Sequence, residues 1–312
     1  MSTQMKAIID QLLTQASSAY IPEGAVADSL LPGLKFAQYS GKLAGYGKAH
    51  LRLENTVVGG KGKYRRVEPI VRTTSDFAIE GHGLEGLVTD EDYRNVTEPF
   101  DAEKDETLGL SSILMIEKEY ALASALGSTA VMTQNTTLVG NAKFSDYVNS
   151  DPISKVNAAK AAIKAGCGGV ANTAIMDYDV AQVLRYHPQF LDLLGFKENR
   201  PGGLNDQELA RALDVKKVFI PNVMYNTAKE GQADSLSSVW GKNLVLAVIP
   251  DSAQKYQISL GYNIRLDGSQ PRKVYKEAVF NPPGSTKILV EDKYDMVLSD
   301  VTAGYLIKDA IA

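Results

Sequence analysis

The spacing of apolar positions changes several times along the chain, and each change marks an element. From Thr107 to Leu126, the residues Leu110, Ile113, Leu114, Glu117, Tyr120, Ala121 and Ala125 fall at helical spacing, which predicts the longest helix of the molecule. Asp105 and Glu106 suit the positive end of its dipole and Gly127 suits its close. At ~1.5 Å per residue this helix would be a rod of roughly 30 Å. Further helices are predicted over Ser154–Ala165, ended by Gly166, over Asp179–Tyr186 and over Asn205–Leu213. Strand-like runs occupy Ala171–Met176, Val218–Ile220 and Leu244–Ile249, followed by Gln257–Leu266, Lys273–Phe280, Lys287–Glu291, Asp295–Leu298 and Gly304–Ile307. Mixed elements followed by a run of strands predict an α+β protein and not a doubly wound sheet.

The first 40 residues read as a short amphipathic helix through Ile8, Leu12 and Leu13, then an irregular arm punctuated by Pro22, Gly24, Pro32 and Gly33. Residues 41–75 alternate around a Gly59-Gly60-Lys61-Gly62 tip, as a long two-stranded hairpin would. Its apolar content is thin, and an isolated hairpin is marginal in water, so it is expected to lie on something else.

Charge sharpens that expectation. Between Lys42 and Arg72 there are eight basic residues, Lys42, Lys48, Arg52, Lys61, Lys63, Arg65, Arg66 and Arg72, and two acidic ones, Glu54 and Glu68. From Asp76 to Glu106 there are eleven acidic residues, including Asp90, Glu91, Asp92, Glu98, Asp101 and Glu103, against Arg94 and Lys104. Two readings stay open at this level. The two stretches are solvated faces, or a basic projection on one subunit lies over an acidic surface on the next, an arrangement that fixes register and speeds encounter.

The whole chain of 312 residues has a net charge of −4 and is 44% apolar and 22% charged. That composition is globular, and its acidity argues against a protein whose work is to grip nucleic acid, though not against a container for it. Cys167 is the only cysteine, so no intrachain disulfide forms; flanked by Gly166, Gly168 and Gly169, it reads as a small packing residue. No signal peptide is present at the start, and the uncharged run Tyr120–Ala142 carries too many polar side chains to span a bilayer.

Candidate chemistry is sparse, and no catalytic, cofactor or metal residues are assigned. Gly81-His82-Gly83-Leu84-Glu85-Gly86 matches the dinucleotide pattern G-x-G-x-x-G, but Asp90-Glu91-Asp92 follows where a pyrophosphate would need a helix N-terminus. There is no P-loop, nucleophile elbow or metal-spaced His/Cys cluster. His187, in Tyr186-His187-Pro188, reads as structural, and Glu117 and Glu119, two apart on a helix, point away from each other.

The order of these segments resembles the HK97-fold major capsid proteins of tailed phages. Local text carries the likeness: Ala27-Asp28-Ser29-Leu30-Leu31-Pro32, Gln38-Tyr39-Ser40-Gly41-Lys42, Ser150-Asp151-Pro152-Ile153, Leu184-Arg185-Tyr186-His187-Pro188, Ile220-Pro221-Asn222-Val223-Met224-Tyr225-Asn226 and Val239-Trp240-Gly241-Lys242. The resemblance implies an N-terminal arm over 1–40 and an extended loop over 41–75 that reaches across a neighbour. It implies a peripheral domain over 76–150 with a spine helix at 107–126. An axial α/β domain over 151–270 and returning strands over 271–312 complete it. A shell subunit of this kind would form pentamers and hexamers of an icosahedral head around double-stranded DNA, with no cofactor and no membrane. It would be assembled in the host cytoplasm and reside in the virion. Its partners would be its own copies, a portal protein, DNA held without sequence preference, a separate scaffolding protein, since the arm begins near Met1, and a decoration protein. Some relatives join subunits by a Lys–Asn isopeptide bond, for which Lys61 and Lys63 would be the lysine candidates. Two alternatives remain: an encapsulin-type protein compartment, and a soluble nucleotide-dependent α/β enzyme built on the Gly81–Gly86 turn.

Overall fold

Asp101 opens the longest helix, its carboxylate accepting the amides of Glu103 and Lys104. The computed structural model describes residues 8–46, 53, 56–58, 64, 72–95, 101–195, 203–229, 231–253, 257–279 and 282–312. Along them run β1 (Ile8–Ile9), α1 (Gln11–Ala19), α2 (Ala27–Leu30), β2 (Gly33–Phe36), β3 (Ser40–Tyr46), β4 (Arg72–Ala78), β5 (Glu80–Val88), α3 (Asp90–Asn95) and α4 (Ala102–Gly127). There follow β6 (Asn135–Thr137), α5 (Pro152–Cys167), β7 (Thr173–Met176), α6 (Tyr178–Arg185), α7 (Pro188–Leu193), α8 (Asp206–Ala212), β8 (Lys217–Phe219), β9 (Met224–Asn226) and β10 (Leu236–Ser238). The chain ends with β11 (Leu244–Ala247), β12 (Gly261–Leu266), β13 (Lys273–Val279), β14 (Ser285–Leu298) and β15 (Gly304–Lys308).

The α+β class holds, and two sheets organise it. A six-stranded sheet is built on β14, one continuous strand of 14 residues where the spacing of apolar residues predicts two shorter ones. Tyr294 pairs with Glu80 on one side and Arg265 on the other. β5 therefore takes one side of β14, while β12 and β13 follow each other along the opposite side with residues 267–272 looping out between them. β1 flanks β13, and β2 runs parallel to β12. The second sheet has the order β6-β15-β11-β7-β8. β12 sits in the first sheet and β15 sits inside the second.

Helix α4 joins the two. Leu110 and Leu114 pack with Leu13, Val88, Val274, Ile288 and Val290 against the six-stranded sheet. Leu122, Ala123 and Leu126 pack with Leu30, Trp240, Val245 and Leu306 against the five-stranded one. On β11 alternate residues split between cores: Val245 and Ala247 face α4, while Leu244 and Leu246 face α5, α6, α7 and α8. At 26 residues α4 is roughly 39 Å long. It begins five residues before the predicted start because Asp101 caps it. Helix α5 likewise runs through Gly166 and closes at Gly168, whose φ of 80° is left-handed. Gly166 serves close packing instead: a Cβ there would stand 2.3 Å from the Gln134 amide nitrogen and 3.1 Å from the Thr302 carbonyl.

The inward face of α4 carries two charges. Lys118 and Glu119 are both buried. Lys118 Nζ lies 2.5 Å from Asp28 and 4.1 Å from the centre of the Tyr294 ring. Asp28, in α2, also meets Arg265 at 3.1 Å and Arg272 at 3.2 Å, and Arg265 binds Asp292 through both guanidinium nitrogens at 2.5 and 3.1 Å. Arg272, buried and at a left-handed φ of 49°, donates to the carbonyls of Ser17, Ser18 and Tyr20, each at 2.9 Å. Glu119 accepts the amides of Val26 and Ala27 at 3.1 and 2.7 Å and the Trp240 indole at 2.8 Å. The arm is therefore fixed to the spine helix and the six-stranded sheet through buried and partly buried polar groups. Burial pushes the Glu119 carboxyl above its ordinary value, against the pull of those amides and the indole. Burial also opposes ionisation of Asp28, but Lys118, Arg265 and Arg272 outweigh it and bring its pKa down to about 2.

Two outcomes are expected. Arg272→Met leaves three arm carbonyls and Asp28 short of a donor in a buried site, so urea unfolding of the unassembled protein should show a loss of ~3–5 kcal/mol. Asp28 has a depressed folded pKa, so its contribution of about 2 kcal/mol is present above an unfolded value of 3.8 and is lost as pH falls through about 2. Glu119 is shifted upward and acts in the opposite sense. Unfolding free energy of wild type minus Asp28→Asn, measured from pH 5 down to pH 2, should therefore shrink by roughly that amount; a flat difference would refute the assignment.

Candidate subunit interface

The hairpin expected over 41–75 has its root in β3 and β4, antiparallel from Ser40↔Ala78 to Tyr46↔Arg72. The root is anchored by packing. Leu43, Phe77 and Ile79 are buried with Ile264 beneath them, and the Phe77 ring lies 4.6 Å from that of Phe36. Phe77 faces Gly41 across the ladder, and a Cβ at Gly41 would meet the ring at 3.1 Å. Ala78 donates its amide to Asp295 at 2.8 Å, pinning β4 to β14. Of the basic residues assigned to the loop, Lys42 lies in β3 opposite Asp76, and Arg72 pairs with Tyr46 at the outer end of the ladder. Lys48, Arg52, Lys61, Lys63, Arg65 and Arg66, with the Gly59–Gly62 tip, lie outside the described residues.

Several members of the acidic stretch are engaged within their own subunit. Asp90 pairs with Arg94 at 2.7 Å. Asp92 accepts the Thr89 hydroxyl at 2.7 Å and its amide at 2.8 Å, bonds that lower its pKa. Asp101 caps α4, and Glu103 takes the Lys276 ammonium and, at 2.7 Å, the Tyr93 hydroxyl. Glu91 has no partner among the described residues, and Glu98 lies outside them. Linear charge counting could not separate acids that cap and brace from acids that remain open.

A different acidic site appears beside the root. A cavity of about 500 Å³ opens between β4, β5, α4 and β14, with Phe77, Ala121 and Met296 along its walls and Asp76, Glu80 and Asp295 among its polar lining. His82 also lines it, stacked on Tyr294 at 4.5 Å between ring centres, with Glu117 3.9 Å from its Nδ1. No sequence motif marked this site, because its acids come from three separate strands.

The remaining candidates are structural. Gly81–Gly86 lies within β5, paired residue for residue with β14, so the turn that a dinucleotide or the enzyme alternative requires is replaced by a strand. Gly86 accommodates Glu106 of α4, whose carboxylate would fall 1.9 Å from a Cβ there. Cys167 is buried. His187 is buried too, its Nδ1 accepting the Gln189 amide at 3.3 Å as the cap of α7 and its Nε2 3.0 Å from the Ser150 hydroxyl; burial lowers its pKa. Among the described residues no group of His, Cys, Asp and Glu could hold a metal, and no helix is long and apolar enough to cross a membrane.

Comparison with known proteins gives this arrangement a context. No family model matches the chain. The major capsid protein of Burkholderia phage BcepMu is 24% identical over 269 residues, which cover 84% of this chain and 85% of that protein. Among solved structures, a phage-related protein from Bordetella bronchiseptica superposes with a TM-score of 0.75 at 24% identity, covering 98% of both chains. The capsid of cyanophage P-SCSP1u gives 0.60 at 9% identity over 94% of this chain and 90% of that one. A Synechococcus elongatus encapsulin gives 0.51 at 9% identity over 98% and 97%. The fold is the HK97-like shell fold. Within that class the chain is similar in sequence to the phage major capsid proteins.

If the root orients the loop, loosening it should be measurable. Phe77→Ala should cost ~3–5 kcal/mol locally and accelerate amide exchange in Ser40–Tyr46 and Arg72–Ala78 by at least tenfold, while β7 and β11 keep their protection.

Proposed function

We propose that the chain self-assembles as the major capsid protein of a tailed phage, in pentamers and hexamers that close an icosahedral head around double-stranded DNA. The observation that carries this reading is a likeness to capsid proteins over most of the chain, 94% of it in a phage capsid structure and 84% in a major capsid protein sequence. In this reading residues 1–40 are the arm, 41–75 the loop that lies on a neighbour, 76–150 the peripheral domain, 151–270 the axial domain and 271–312 the returning strands. Assembly takes place in the host cytoplasm on a separate scaffolding protein and is nucleated at a portal. A decoration protein is a further partner, and DNA is contacted without sequence preference, in keeping with a net charge of −4.

Sedimentation velocity with negative-stain microscopy, on the protein alone and co-expressed with its scaffold, should reveal rings of five or six or closed shells. A compact monomer under every condition would overturn the reading. Reversing Lys61, Lys63, Arg65 and Arg66 to Glu should leave the subunit folded and block closure, with wild-type association weakening as salt rises. The encapsulin likeness supports a second reading, a compartment loaded with protein. Particles purified from infected cells discriminate: nuclease-protected DNA supports the phage head, and a single co-purifying protein cargo supports the compartment.

A further inference from the structure

We infer that the cavity at the root of the hairpin is the receptor for a lysine or arginine side chain carried on the basic segment of a neighbouring copy. The inference rests on the shell reading above and names the surface on which the loop docks.

Three observations carry it. The first is the chemistry of the cavity. Its walls are apolar at Phe77, Ala121 and Met296 and its polar lining is acidic at Asp76, Glu80 and Asp295. That combination fits a long aliphatic stem with a cationic head, the division found in Lys and Arg side chains.

The second is which acids remain open. Asp90, Glu103, Glu85, Asp28 and Asp292 all have a cation within their own subunit. Among the described residues no cation pairs with Asp76, Glu80 or Asp295; Lys42 opposes Asp76 in register without closing an ion pair. Asp295 is held in place by the Ala78 amide at 2.8 Å, so it is positioned without being neutralised. A site lined by carboxylates that no cation among the described residues meets is complementary to a positive partner.

The third is the source of that partner. Residues 47–71 hold Lys48, Arg52, Lys61, Lys63, Arg65 and Arg66 against Glu54 and Glu68. The same chain's segment begins at the far end of the β3–β4 ladder, six steps from Ala78, or about 20 Å at ~3.3 Å per residue. We assign the cavity to the segment of the next copy, and the cysteine pair below separates that from a contact within one chain. Each copy then both gives and receives a loop, the head-to-tail relation that closes into rings.

A charge exchange tests this. Asp76→Lys with Glu80→Lys alters two exposed positions and should reduce shell yield at least tenfold in sedimentation while the thermal transition of the subunit is kept. Combining it with the Glu substitutions at Lys61, Lys63, Arg65 and Arg66 in one chain should restore shells. A second experiment does not depend on assembly surviving charge reversal: Glu80→Cys with Lys63→Cys, oxidised in particles and run without reductant, should give a ladder of dimers, trimers and higher chains. If the loop reversal blocks assembly but the cavity reversal assembles normally and no interchain ladder forms, the cavity is not the receptor and the shell reading stands. If the loop reversal itself assembles normally, the role given to the loop falls. If the combined variant stays unassembled, the cysteine pair decides: a ladder upholds the inference, and a link within one chain or none overturns it.

Discussion

The buried ion network around Asp28 is the constraint on which the rest of the structure depends. Five elements that are distant in sequence meet there: the arm through Asp28, α4 through Lys118, β12 through Arg265, β14 through Asp292, and the residue leading into β13, Arg272. Lys118, Arg272 and Asp292 are buried and Asp28 and Arg265 are partly buried, and burial holds the Lys118 ammonium below its ordinary value even beside Asp28. Such a network adds little net stability over an apolar replacement, because desolvation offsets much of the attraction. What it contributes is position. A hydrophobic contact lets an arm slide, whereas a bidentate Arg265–Asp292 pair and three carbonyls on Arg272 admit one placement.

Placement of the arm sets placement of the hairpin root. Asp28 holds Arg265 of β12, and the neighbouring Ile264 lies under Leu43 and Phe77 of the root. Asp295, three residues after Asp292 on β14, pins Ala78. The arm, the spine helix and the root are thus referred to the same two strands, β12 and β14. A subunit that must contact several neighbours in slightly different orientations gains from such a frame, since errors at the root are magnified along the loop.

Much of the architecture is legible in the sequence because it follows from local rules. The helical spacing over Leu110–Ala125, the Asn205–Glu208 pair that forms a capping box on α8, and the β-type run at Leu244–Ala247 each speak through neighbours in the chain. What the spacing missed is set by residues far away. Ile113 and Tyr120 fit the helical pattern yet are exposed, while Lys118 and Glu119 break it and are buried. Their partners lie at Asp28, Val26, Ala27 and Trp240, separated from them by about 90 residues or more. Gly166 looked like a stop because glycine often is one; only the approach of Gln134 and Thr302 reveals its other use. The dinucleotide-like glycines fail in the same way, since β14 pairs with them across some two hundred residues of sequence.

Charge shows where composition alone loses information. A run with eleven acids invites assignment as one acidic surface, but its members divide by geometry into different tasks. Asp101 stabilises the start of α4, Asp92 closes the turn before α3, and Glu103 with Asp10 shares Lys276 between the arm and the sheet. Once these are set aside, open negative charge concentrates where β4, β5 and β14 converge, at Asp76, Glu80 and Asp295, beside the root from which the basic segment departs. In the proposed contact, donor and receptor share one root, so a single element would answer for both halves of a head-to-tail relation. The angle between neighbouring subunits would then depend on how the β3–β4 ladder leaves the sheet, and Phe77 packed over Gly41 is the contact at that departure.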